Sequence, residues 1–248
     1  MHISTEMAVE RAIDTMRADL SQQLTVDDLA RAAMFSKFHF TRVFQRATGV
    51  SPGRFLSAMR IQAAKRLLLT TSLNVIDISL RVGYNSVGTF STRFTRSVGL
   101  APTAFRRMGG YAPQIPVASS AEPGHATIQG RVSLPAGVSG HTLFLGLFPQ
   151  RIPEGMPVGC AVMQEPGTFR FEKVPDGEWY LLCHSVTGSA LSLDQDGFTC
   201  ATVGPIRTRG PVSLLRNVQL RPMSKVDPPV LLALLDTRKA ALDRLVAA

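Results

Sequence analysis

The chain has 248 residues, 45% of them hydrophobic, and no apolar run approaching the 18 or so residues that a bilayer requires, which excludes a disordered chain and a transmembrane helix. Its net charge of +9 is unevenly held: Lys and Arg outnumber Asp and Glu by 15 to 7 over residues 1–112 but only by 12 to 11 over residues 113–248. Between residues 30 and 110 there are 13 bases and a single acid, Asp77, which marks that half as a polyanion-binding surface and argues against a merely solubilising one.

Two domains are expected at this length. The opening stretch MHISTEMAVERAIDTMRADL mixes charges into its apolar positions, so neither a signal peptide nor a membrane anchor is expected, and the protein is placed in the cytoplasm. Val9, Ile13, Met16 and Leu20 keep one face of a first helix apolar. Thr25 with Asp28 then forms a capping-box signal for a short second helix carrying Leu29 and Ala33. A tight turn at MFS leads to a third helix capped by Ser36. Its Phe40, Val43, Phe44 and Ala47 read as the buried row, and Phe38, Thr41, Arg42 and Gln45 as the row on the opposite side.

The stretch PGRFLSAMRIQAAKRLLLT follows as one long helix with Phe55, Met59, Ala63 and Leu67 spaced by four. The pattern then repeats. Asn74 with Asp77 caps a short helix carrying Ile78 and Val82, Gly83 supplies a left-handed turn, and Asn85 or Ser86 caps the next helix. That helix buries Phe90, Phe94 and Ser97 and turns Gly88, Ser91, Thr92 and Thr95 outward. Phe40 and Phe90, Phe44 and Phe94, Arg46 and Arg96, Gly49 and Gly99, and Pro52 and Pro102 all fall at one offset, so the unit is duplicated.

Two short helices joined by a tight turn describe a helix-turn-helix, whose second helix fits the major groove of double-stranded DNA. Arg42 suits guanine, Gln45 adenine, and Phe38 or Thr41 a thymine methyl, with Lys37 flanking them as a base or backbone contact. The second copy offers Gly88, Ser91 and Thr92 and is expected to read sequence weakly. Arg46, Arg54, Arg93, Arg96, Arg106 and Arg107 are the candidate phosphate contacts. The connecting helix, at about 1.5 Å per residue, spans about 30 Å, close to the ~34 Å between successive major grooves on one side of the duplex.

After a linker at residues 111–125, rich in Gly, Pro, Ala and Ser, short runs of Val, Leu, Phe and Thr alternate with turns to about Pro222 and read as strands. GTFRFEKVPDGEWYLLCHS reads as strand, turn and strand, with Phe169, Phe171, Trp179, Leu181 and Cys183 inward and Pro175, Asp176 and Gly177 turning. Tyr180, Leu182 and His184 on the other side, with Phe144 and Phe148 of HTLFLGLF, form a face too apolar for open solvent, to be covered by the chain's own terminal helix, a partner subunit or a ligand, and are the effector or interface candidates. A helix from Asp227 to residue 247, capped by Asp227 ahead of two prolines, is expected to close the chain. The fold class is thus an all-α double helix-turn-helix domain over 1–110, an all-β sandwich over 126–222 and a C-terminal helix.

The residues LTVDDLARAAMFSKFHFTRVFQRATGVSPGRFL and VIDISLRVGYNSVGTFSTRFTRSVGLAPTAFRR resemble the DNA-binding domain of the AraC/XylS-family transcriptional regulators. The resemblance implies seven helices, two helix-turn-helix units on consecutive major grooves, and base-reading roles for Phe38, Thr41 and Arg42. Val87, Gly88 and Thr92 stand where larger polar or basic side chains are frequent in that family. Most of its members carry the effector domain first, so any sensing here is expected downstream. The segment from 126, with ATIQGRV, resembles carboxypeptidase-regulatory-like or transthyretin-like modules.

The expected partners are double-stranded DNA, RNA polymerase, a second copy joined through the C-terminal half, and a small-molecule effector, with no cofactor and no membrane. Cys160, Cys183 and Cys200 lack paired spacing and are expected to be reduced packing residues; with His141 and His184 they are a poor metal set. No GxSxG, HExxH or phosphate loop is present, so no enzyme is expected. The competing reading is a ligand-independent, DNA-bound interaction protein whose β domain recruits polymerase or another regulator.

Overall fold

The computed structural model describes residues 5–112, 117, 124–138, 141–187, 198–231 and 233–235. The chain separates into two compact units, Met1–Gly110 with Ser224–Ala233, and Tyr111–Met223 with Leu234–Ala248.

Among the described residues the first unit holds seven helices: α1 (Thr5–Ala18), α2 (Val26–Ala32), α3 (Lys37–Thr48), α4 (Pro52–Thr70), α5 (Val75–Arg81), α6 (Val87–Val98) and α7 (Pro102–Arg107). Each start has a local cause. Thr25 closes a full capping box with Asp28, whereas Asn74, Ser36 and Ser86 each accept from the third backbone N–H of their helix. Pro52 and Pro102 occupy the first turns of α4 and α7, where a missing N–H costs nothing. Gly49 and Gly99 end α3 and α6 in the left-handed conformation at φ 79 and 86.

The duplication extends into the core. Phe40, Phe44 and Phe55 form a chain of rings at 5.4 and 5.4 Å, and Phe90, Phe94 and Phe105 form its counterpart at 5.6 and 5.6 Å. All six rings are buried. Equivalent residues lie forty-nine positions apart up to the turn and fifty after it, because Asn85 is one extra residue in the second turn. The buried row of α3 differs from its expected form: Ala47 is exposed and Thr48 is buried in its place, its hydroxyl donating to Phe44 O at 2.9 Å. In α4 the buried stripe is Ala58, Ile61, Ala64, Lys65 and Leu68, while Met59, Ala63 and Leu67 are only half-buried.

The second unit holds β1 (Tyr111–Ala112), β2 (Ala126–Ser133), β3 (His141–Phe148), β4 (Gly159–Met163), β5 (Gly167–Val174), β6 (Gly177–Thr187), β7 (Thr199–Thr208), β8 (Ser213–Leu215), β9 (Val218–Gln219), β10 (Arg221–Pro222) and β11 (Leu234–Leu235). One sheet runs β10-β7-β6-β3-β4, a second runs β5-β2-β8 with β9 also on β2, and β1 pairs in parallel with β11. A single apolar cluster draws on both larger sheets, including Ile128, Val132, Phe169 and Phe171 from one and Leu143, Leu145, Leu181 and Cys183 from the other. The chain crosses so tightly at Gly130 that a Cβ there would collide with the Arg216 carbonyl.

The strand, turn and strand read over residues 167–185 are present, and the Pro175–Asp176–Gly177 turn carries the chain from one sheet to the other, because β5 pairs with β2 and β6 with β3 and β7. Trp179 secures it by donating from Nε1 to Pro175 O at 3.0 Å. The helix expected from Asp227 is absent over 227–231 and 233–235. Asp227 accepts from Ser224 N and Oγ at 2.8 and 3.0 Å, using its side chain in a turn in place of a cap, and Leu234–Leu235 is a strand. The remainder of that helix, 236–247, lies outside the described residues.

Candidate nucleic-acid interface

The side of α3 opposite its phenylalanines is polar and open. Phe38 is 90% exposed, an extreme value for an aromatic ring, and Lys37, Arg42, Gln45 and Arg46 are exposed with it. Thr41 is half-buried and its hydroxyl donates to Lys37 O at 2.9 Å. Lys37 Nζ reaches Asp27 at 2.8 Å. On α6 Gly88, Thr92, Thr95 and Arg96 are exposed, and Ser91 is half-buried.

The six candidate phosphate contacts divide. Arg46, Arg96 and Arg107 are exposed and Arg54 is half-buried. Arg93 Nε donates to Ser57 Oγ at 3.1 Å and ties α6 to α4. Arg106 is committed to the fold: its guanidinium donates to Leu68 O at 2.9 Å, Thr71 O at 3.3 Å and Leu73 O at 2.6 Å, satisfying carbonyls at the end of α4. Neither role was legible from residue type, since nothing in the spacing distinguishes Arg106 from Arg107.

The turns that aim α3 and α6 are built differently. Met34 takes φ 59 in the first, with Arg11 donating to Ala33 O at 3.4 Å beside it. Gly83 takes φ 83 in the second, and a Cβ there would collide with Leu20 O and the Arg60 guanidinium, which donates to Leu20 O and Gln22 O at 3.0 and 2.6 Å. Arg60 was not among the residues singled out by sequence; partial burial lowers its pKa.

In the strand-rich unit the cross-strand register puts Phe144 beside His184, Gly146 beside Leu182 and Phe148 beside Tyr180 on one face. Phe148, Leu182 and His184 are buried within the chain, leaving Phe144 and Tyr180 half-exposed, so most of the predicted effector or interface face is already covered. His184 lies opposite Cys200, whereas Cys183 faces the core from the other side of the strand, which separates the Cys183 and Cys200 thiols. Burial raises the pKa of the Cys160 and Cys183 thiols, the direction of inert packing residues. Among the described residues no group of three or more His, Cys, Asp or Glu is placed to hold a metal, and no helix is long and apolar enough to cross a membrane.

A family profile described as a helix-turn-helix domain matches residues 7–108. The chain is 34% identical over 91 residues to the HTH-type transcriptional activator AarP of Providencia stuartii, covering 37% of this chain and 67% of that one. It is 30% identical over 98 residues to the lactose operon transcription activator of Staphylococcus xylosus, covering 40% of this chain but only 35% of the relative. Among solved structures, the C-terminal domain of AraT, a response regulator from Geobacillus stearothermophilus, is 31% identical, with a TM-score of 0.41 over 43% of this chain and 88% of that one. Through its helical half, the chain belongs to the AraC-type helix-turn-helix transcriptional regulators.

Proposed function

We propose that the chain is a sequence-specific regulator that lays α3 and α6 into two successive major grooves, α3 reading bases and α6 holding the backbone. The observation that carries this is the asymmetry of α3, where an almost fully exposed phenylalanine, Arg42 and Gln45 stand opposite a buried aromatic row. A solvated helix face has no use for Phe38, whereas a groove lined with thymine methyls does. Arg46, Arg54, Arg96 and Arg107 serve as phosphate contacts, and Arg42, Gln45, Phe38 and Thr41 carry the sequence information.

The strand-rich half is assigned to association or effector binding, since its charge of 12 bases against 11 acids gives DNA little to attract. We read its two sheets as a sandwich of the carboxypeptidase-regulatory-like or transthyretin-like kind, and the half-exposed Phe144 and Tyr180 as the positions left for a second copy, RNA polymerase or a small molecule.

Selection from a random duplex pool gives the operator, and gel-shift titration at two salt concentrations tests the roles. Arg42→Ala should shrink the ratio between operator and scrambled DNA by about tenfold, the worth of a good base contact. Arg96→Ala should weaken both DNAs alike and lower the salt slope by about one. Equal effects from the two substitutions would overturn the division of labour.

A further inference from the structure

The ten residues Ser224–Ala233 return to the helical unit after the whole of the strand-rich half and are packed into it. Val226 lines an open groove of about 930 Å³ together with His39, Arg42, Gln45 and Arg46 on α3. Lys225 Nζ meets the Asp14 carboxylate of α1 at 3.1 and 3.2 Å. Val230 O accepts from Lys65 Nζ of α4 at 3.1 Å, and that ammonium sits 5.9 Å from the Phe105 ring, the last member of the second aromatic chain. Ala233 N donates to Val98 O, the final carbonyl of α6, at 3.1 Å. Val230, Leu231 and Ala233 are 6, 0 and 4% exposed, so this is a packed element of the helical core.

One segment therefore runs from beside the exposed side of α3 to the C-terminal end of α6. We propose that residues 224–233 are a strap that fixes the spacing of the two reading helices, making DNA affinity depend on a piece of chain that follows the strand-rich half. Two heads on one rigid body bind a duplex jointly only if their separation matches the site; a loosened pair loses effective concentration and tolerates wrong spacings. The strand-rich half precedes the strap directly in the chain, so a ligand or partner that draws on residues 224–233 weakens DNA binding by loosening the hold on α6. This rests on the reading of α3 and α6 as the DNA contacts.

The test uses the full-length chain and its Leu231→Asp variant, which puts a charge at a fully buried strap position. Amide exchange is followed by mass spectrometry without DNA, and affinity is measured by anisotropy on the selected operator and on versions with one base pair inserted or deleted between the two boxes. The expected result is faster exchange over residues 87–98 with α3 unchanged, affinity about tenfold weaker on the operator, and a flattened penalty for altered spacing. Should exchange quicken throughout the helical unit, Ala233→Pro takes its place, since it removes the N–H donated to Val98 without burying a charge. Unchanged exchange over 87–98 together with an unchanged spacing penalty overturns the strap. If wild-type protein binds no DNA the proposed function fails, and the exchange comparison alone still decides whether the strap holds α6.

Discussion

Met34 and Gly83 occupy the same step of the two turns, and the chain uses opposite solutions there. Both lie in the left-handed region, at φ 59 and 83, which costs a residue with a Cβ about 1–2 kcal/mol and glycine nothing. Glycine in turn sacrifices about 0.5–1 kcal/mol more unfolded-chain freedom. Met34→Gly should therefore stabilise the helical unit by about 0.5 kcal/mol. Gly83→Ala must carry the conformational cost and also push Leu20 O and the Arg60 guanidinium aside, so it should destabilise by at least about 2 kcal/mol. Urea midpoints of the two variants check both signs, and a destabilised Met34→Gly would show that the Arg11 contacts to this turn, Ala33 O at 3.4 Å and Met34 Sδ at 3.5 Å, outweigh the backbone preference.

The α4 helix illustrates where sequence reading succeeds and where it stops. Its start, length and role as the connector were legible, because Pro52 marks the first turn and nineteen residues pass before the extended backbone at Thr71. Its buried side was not. The four-residue spacing of Phe55, Met59, Ala63 and Leu67 was the visible pattern, yet the stripe actually covered contains Lys65, which no apolar periodicity would select. The reason is non-local: Lys65 is buried because α4 is also covered by a segment 165 residues later, whose Val230 carbonyl receives its ammonium. The same segment was read as a helix because Asp227 and two prolines imitate a helix start, whereas Asp227 turns its carboxylate back to Ser224 N and Oγ, three residues earlier, and so closes a turn. The exposed residues of α3 were legible for the opposite reason, since a single helix with a strong phenylalanine row defines its own far side. Burial also makes a measurable pH dependence. Desolvation pushes the Lys65 pKa down to about 7 from 10.5, so between those values the unfolded chain binds more protons than the folded one, and stability rises with pH across that window. Thermal melts from pH 6.5 to 10 should show this rise, and Lys65→Met should abolish it. A wild-type profile that is flat or falling would mean that the ammonium is better compensated than its burial implies.

Across the whole molecule the charge is partitioned along with the fold. The helical half carries the excess of 15 bases over 7 acids, while in the strand-rich half bases and acids nearly balance and two exposed arginines are paired locally, Arg170 to Glu172 at 2.8 Å and Arg207 to Glu178 at 3.0 Å. Such exposed pairs add little to stability, but they cancel the long-range field that would draw the β unit onto a phosphate backbone. DNA affinity should therefore follow salt with a slope set by the helical arginines alone. With the four proposed phosphate contacts, Arg46, Arg54, Arg96 and Arg107, and counterion release of about 0.9 per contact, the slope of log K against log salt should be about −3.6. Replacing both Arg170 and Arg207 by alanine should leave the slope and the affinity where they were. Titrations between about 50 and 200 mM salt resolve a change of one contact, which moves affinity several-fold over that range. A slope that loses two units in the double variant would place the strand-rich half on the DNA, and its assignment to association or effector binding would then have to be abandoned.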